Sequence, residues 1–312
     1  MKTFSPNQLF QAGDTWPVGS FCLTDCRQLL PLIMECCGVR CGPELAGVGT
    51  AEEVLGVWVP LYQKWEQENQ SGLIIETALK NRPGMSAFLK TYSGKPLPLV
   101  KGQLLGPVSL MAALKKKQFP FIDRDKILQF IGQSVLVQSD LLSKISQNRI
   151  ICLDEPWAFT DVMAHRVWQE LWDVVKFDPQ IGLALHSCGP VKSTWFELPW
   201  HVVHVDFQEL ATGLAADARV WESTLEAFFK RGSWLAIGVL SSSPIAPAPD
   251  IAELMAEVKS VLKGASLNQI LISTSCGVGD MNITSTKSRL QQLCKTAEAF
   301  VALASGAGNG RK

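Results

Sequence analysis

From residue 149 onward the chain repeats one pattern, a short apolar run rich in β-branched residues followed by a helix-length amphipathic stretch. "RIICLDEP", "IGLALHSCG", "HVVHVDF", "WLAIGVL" and "QILISTSCG" are the strand candidates, and 159–176, 190–197, 215–231, 250–263 and 284–303 read as helices. Strands alternating with helices pair in parallel, because the crossover carries the chain back to the edge where it started. Upstream, "TWPVGSF" (15–21), "GLIIET" (72–77) and "PLVKGQLLGP" (98–107) supply three further strands, with helices at 24–37, 51–69, 107–116 and 124–147. Eight strands close most simply as a (β/α)8 barrel, an α/β fold; a doubly wound open sheet has the same periodicity.

A barrel of this type fits in one domain of 312 residues, and 1–312 reads as a single unit with a Gly- and Ser-rich tail at 304–312 that should fray. The 29 basic and 29 acidic residues cancel, so nothing favours nucleic acid or an anionic membrane surface as partner. Apolar runs are all shorter than the roughly 20 residues a membrane span needs, and the N-terminus lacks the features of a secretory signal. The expectation is a soluble cytoplasmic protein acting on a small molecule. Nine cysteines at irregular spacing fit reduced thiols, and the "CCGVRC" cluster, with Cys22 and Cys26 upstream, reads as small buried apolar residues more readily than as a metal site.

The residues that end the strands carry the chemistry. Gly19 and Ser20 end the first, Asp154 and Glu155 the fourth, His186 and Cys188 the fifth, Asp206 the sixth with Glu209 close behind, and Cys276 the eighth. Strand C-termini of a barrel converge on one mouth, so these distant residues become neighbours. His186, Cys188, Asp206 and Cys276 would offer one nitrogen, two sulfurs and a carboxylate oxygen, a set that tetrahedral zinc accepts. Two thiolates and a carboxylate leave such a shell with a net negative charge, which keeps an incoming thiolate nucleophilic and suits alkyl transfer to sulfur better than hydrolysis. His201 and His204 read as core residues of a half-buried strand and His165 as a solvated one. The Pro-rich loop "SSSPIAPAPD" (241–250) follows a strand and belongs to the same mouth.

Taken in order, "VGSF", "GQLLGPVSL", "CLDEP", "HSC" and "STSCG" resemble the signatures of the catalytic barrel of cobalamin-independent methionine synthases, in the superfamily of uroporphyrinogen decarboxylase and the methylcobalamin:coenzyme M methyltransferases. The resemblance runs from about residue 15 to 303. It implies zinc held by His186, Cys188 and Cys276 and by a carboxylate, Asp206 or alternatively Glu209. It further implies that Ser20 and Asp154 hold the amino-acid part of a homocysteine acceptor, with Glu155 beside them and Asp154 acting at the catalytic centre. A further acid used by that family has only a loose match in Glu66 and Glu68. The chain has one barrel where the full-length enzymes have two, and no D-x-H-x-x-G corrinoid motif, so the methyl donor would be a methyl-folate or a corrinoid brought by a partner protein. Trp157, Trp195 and Trp200 are candidates for docking that partner or for rim packing. The other activities compatible with the barrel are a uroporphyrinogen decarboxylase-like enzyme, a coenzyme M-type methyltransferase and a non-catalytic zinc- or corrinoid-handling protein.

Overall fold

The computed structural model describes residues 4–18, 20–21, 26–41, 44–45, 54–158, 163–175, 180–262 and 266–305. Its strands are β1 (Ser20–Phe21), β2 (Arg40–Cys41), β3 (Glu44–Leu45), β4 (Val100–Leu105), β5 (Arg149–Asp154), β6 (Ile181–Ser187), β7 (Val202–Asp206), β8 (Trp234–Leu240) and β9 (Ile270–Thr274). Seven of them form a parallel sheet in the order β2-β4-β5-β6-β7-β8-β9, and β1 pairs in parallel with β3. The residues just before β1 close the circuit. Gly13 and Trp16 donate backbone N–H bonds to Ile270 and Ile272 of β9, and the Val39 N–H, next to β2, donates to Thr15. Residues 13–18 together with β1 thus form the eighth stave of an α/β barrel, and the expected fold class holds.

Alternation along each strand divides two cores. Ile150, Cys152, Ala184, Val202, Trp234, Ala236 and Leu271 form one cluster with Phe4, Phe10 and Trp16. Their strand neighbours Ile151, Leu153, Leu183, Leu185, Val203, Val205, Leu235 and Ile272 join the helices in the other. Opposite parity puts the first set inside the barrel and the second under the helical layer. The N-terminal segment thereby plugs the barrel floor, and Gly182 is required there: a Cβ at that position would lie 2.5 Å from the Phe4 ring.

Five of the eight expected strands, from 149 onward, fall where the periodicity puts them, and 98–107 contains β4. The 72–77 expectation is corrected: Gly72–Asn81 is a helix, capped by the Ser71 side chain, which accepts from the Leu73 N–H, and buried along Ile75 and Leu79. Its two adjacent isoleucines imitate a strand, but Ile75 and Leu79 are four apart and stack on one helical face. The true second stave, Arg40–Cys41, lies inside "CCGVRC" and is too short to show a period. The 215–231 stretch begins later than the real helical region, which comprises Phe207–Ala216 and Ala218–Lys230 with Asp217 between them capping the second. At 190–197 only a short 3-10 turn forms, Ser193–Glu197. Helix Pro83–Tyr92, with proline at its first position, joins two expected elements that had no helix between them. The last helix, Ile283–Ala304, reaches the start of the expected tail, most of which lies outside the described residues. No helix among the described residues is long and apolar enough to cross a membrane.

Candidate metal centre at the barrel mouth

Register brings the site together. Asp154 is the Cα partner of His186 across β5 and β6, and His186 is the partner of His204 across β6 and β7. All three share the parity of the inward residues Cys152, Ala184 and Val202, so they stand abreast one layer above the floor. Cys188 follows just beyond β6 and Cys276 just beyond β9. One ligand atom each from His186, Cys188 and Cys276 lies within 4.8 Å of the others, and among the described residues no other trio of His, Cys, Asp or Glu gathers this closely. His186 Nε2 and Cys276 Sγ are 3.9 Å apart.

These spacings match a metal's requirements. Zinc–sulfur and zinc–nitrogen bonds of about 2.3 and about 2.0 Å in a tetrahedron separate neighbouring donors by roughly 3.5–3.8 Å. The trio needs only a small contraction to reach that geometry, and imidazole with two sulfurs is the donor chemistry zinc favours. His186 is buried, while Cys188 and Cys276 remain half-buried and face the mouth. Cys276 donates toward the Cys188 sulfur, which pulls the Cys188 thiol below its ordinary value and pushes that of Cys276 up. The carboxylates of Asp154 and Asp206 act on Cys188 in the opposite sense, so both lie near it.

The layer beneath is polar and hydrogen-bonded. His186 Nδ1 faces His204 Nδ1 at 2.5 Å, and His204 Nε2 lies 3.1 Å from the Thr274 carbonyl oxygen. Burial first, then the nearby His186 and Lys101, hold His204 well below its ordinary pKa. Lys101 is buried and donates to Pro17 O and Gln103 Oε1, each at 2.7 Å, and Gln103 Nε2 donates to Asp154 Oδ2 at 2.5 Å. Asp154 is therefore aimed from below by a Lys101–Gln103 chain.

Other expected residues stand elsewhere. Asp206 ends β7 as anticipated, but its Oδ1 caps helix Phe207–Ala216, accepting from Gln208 N at 2.8 Å and Glu209 N at 3.2 Å, and it falls outside the close trio. Glu209 lies half-buried in the first turn of that helix. Glu155 is fully buried: Oε1 accepts from Val108 N and Trp168 Nε1, and Oε2 from Ser109 N, so it fastens the end of β5 to the N-terminus of helix Pro107–Lys116. Burial raises its pKa to about 7. Ser20 contributes strand backbone, while its side chain, Gly19 and Cys22 lie outside the description, as does the Cys26 side chain. Glu66 pairs with Lys126, and Glu68 with Lys64, on the surface.

Trp195 and Trp200 pack edge-on against Trp168 and are buried, which removes them as docking candidates; Trp157 is half-buried. His201 behaves as a core histidine, accepting from the Leu183 N–H. Cys36, Cys37, Cys41 and Cys152 are buried thiols, as expected. His204 is a buried core histidine with both ring nitrogens bonded, as expected, and one of them faces the His186 ring. It shares the strand face of Asp206, two residues later, because alternate strand residues point the same way.

No family model matches the chain, and no curated protein does. Among solved structures, a B12-independent methionine synthase from Shewanella sp. is similar with a TM-score of 0.51 at 15% identity, over 70% of this chain and 66% of that one. A Listeria monocytogenes protein, provisionally described as a vitamin-B12-independent methionine synthase, is similar with a TM-score of 0.54 at 13% identity, over 97% of this chain and 99% of that one. The chain shares the barrel fold of these structures. Its match spans just under two thirds of the Shewanella chain.

Proposed function

We propose that this protein is a zinc-dependent methyltransferase of the methionine synthase-like barrel superfamily that methylates a small thiol, with homocysteine as acceptor. The observation that carries the reading is the gathering of His186, Cys188 and Cys276 at the barrel mouth. Asp206 is the proposed carboxylate ligand and Glu209 the alternative. Zinc bound there would lower the pKa of a substrate thiol so that the nucleophile exists at neutral pH. The barrel's own residues do the rest. Asp154 accepts the acceptor's ammonium group and so aims its sulfur at the donor methyl, and Lys101 with Gln103 keeps that carboxylate in place. Ser20 joins Asp154 in holding the amino-acid part. A carbon–sulfur bond forms as the donor–methyl bond breaks, the thiol having released its proton. The Shewanella structure was described with selenomethionine, the selenium counterpart of the product proposed here.

The proposed donor is a methylated corrinoid delivered by a partner protein, with methyl-folate as the alternative. Zinc-loaded protein given homocysteine should form methionine faster with methylcobalamin than with methyl-folate, read by mass spectrometry. Equal or faster turnover with folate overturns the donor, and transfer to no thiol from either donor overturns the activity.

A further inference from the structure

The geometry points to His204 as a positioning residue that fixes the tautomer of His186 and ties it to the Cys276 loop. This inference rests on the metal-centre reading above. Thr274 O can only accept a hydrogen bond, so His204 Nε2, 3.1 Å away, must carry the proton. A neutral His204 then presents a bare lone pair at Nδ1. The His186 Nδ1 that faces it must donate, and in the neutral ring a metal requires the bare nitrogen is then Nε2. That is the nitrogen 3.9 Å from Cys276 Sγ, on the side where a metal would sit. The two rings lie edge to edge: their planes differ by 28° and their centroids are 4.6 Å apart, with the nitrogens between them.

The chain of bonds continues into the other ligand loop. Thr274, whose carbonyl receives His204, donates its hydroxyl to the Cys276 carbonyl oxygen at 2.7 Å. One buried histidine therefore connects the His186 ligand on β6 to the Cys276 ligand beyond β9, across the barrel interior. Metal-binding histidines are ordinarily oriented by a carboxylate, a carbonyl or water on the second nitrogen. Here an imidazole relays the carbonyl, and it does so without adding negative charge beneath a site already rich in thiols. Removing that acceptor frees His186 to take the other tautomer, whose protonated Nε2 cannot ligate.

Two measurements test this. Long-range proton–nitrogen NMR of the metal-free wild type should show His186 protonated at Nδ1 and His204 at Nε2; the reverse assignment at either ring overturns the relay whether or not zinc binds. Chelator competition should then show His204→Phe weakening zinc about 10–100-fold. His204→Asn, which keeps a short acceptor, should recover most of that loss, with thermal midpoints of both variants checking the fold. Wild-type affinity in a folded His204→Phe, or no better affinity in His204→Asn than in His204→Phe, overturns the inference. A wild type with the expected tautomers that binds no zinc would instead sink the metal reading alone.

Discussion

The floor and the mouth of this barrel are built from the same strands, two to four residues apart, and follow opposite rules. At the floor, Phe4, Phe10, Trp16, Ile150 and Trp234 close the interior with rings and branched chains, and Phe10 lies edge-on to Trp16 with centroids 6.1 Å apart. At the mouth, the same inward positions of β5, β6 and β7 carry Asp154, His186 and His204. Lys101, Gln103 and Ser273 join the two as buried, bonded polar groups, Lys101 and Gln103 abreast of Ile150 and Cys152 and Ser273 donating to the Trp16 carbonyl oxygen. The floor gains from excluding water, at roughly 25 cal/mol per Å² of apolar surface. The mouth holds buried polar groups whose desolvation is offset by hydrogen bonds such as those from Gln103 to Asp154 and between His204 and Thr274. Stability and chemistry thus occupy different layers of one interior, and changes in one layer should leave the other's property largely intact.

The largest effect is expected from breaking the mouth. Cys276→Ser or His186→Ala should remove most of the bound zinc and lower methyl transfer by about a thousandfold or more, while urea unfolding of the zinc-free proteins shifts little from wild type. A shared loss of folding stability would mean that these residues belong to the core instead. At the floor, Trp16→Ala should cost about 3–5 kcal/mol in denaturant unfolding. The fraction that remains folded should keep wild-type zinc stoichiometry, because Trp16 meets the polar groups above it through its carbonyl bond from Ser273 and its ring beside Lys101, and neither of these is a zinc ligand.

Glu155 sharpens the division because it neighbours Asp154 yet serves the scaffold. With its pKa raised from 4.5 to about 7 by burial, the folded state holds the proton more tightly than the unfolded chain. That contribution is fully present below pH 4.5 and is lost as pH rises through about 7, on the order of 3 kcal/mol in all. Glu155→Gln should flatten the stability profile across that window and leave the apparent constant for the thiol unchanged; a profile that still falls as in wild type contradicts the assignment. Asp154→Asn should do the reverse, keeping stability and zinc while raising KM for an amino-acid thiol about tenfold and sparing a thiol without an amino group. The smallest effects separate two neighbours. Asp206→Ala should lower zinc affinity and, through the lost helix cap, cost about 1 kcal/mol, whereas Glu209→Ala should change neither; greater zinc loss in Glu209→Ala would exchange their roles.

The same contrast governs what could be read from the sequence. The β5–β9 strands are buried on both faces, so each is a continuous apolar run between turns, and their alternation with helices implies a parallel sheet, for which a barrel is the simplest closure. Site residues at their ends could be named because barrel topology, not local sequence, brings His186, Cys188 and Cys276 together. The short stave Arg40–Cys41 escaped because its pairing is set by the barrel's closure and not by its own two residues. Glu155 reads together with Asp154 because adjacency in sequence hides that one faces inward and the other outward. His204 reads as a satisfied core histidine and is one; burial frequency does not show that its register turns it toward His186.

The central claim is that the mouth holds zinc and that this metal serves the thiol. Its most direct test is metal analysis of the purified wild type together with proton release on adding homocysteine at neutral pH. The account predicts about one zinc per chain and about one proton released per zinc, since the metal takes thiolate and not thiol. Protein that stays metal-free after incubation with zinc, or zinc-loaded protein that binds the thiol and releases no proton, would contradict it.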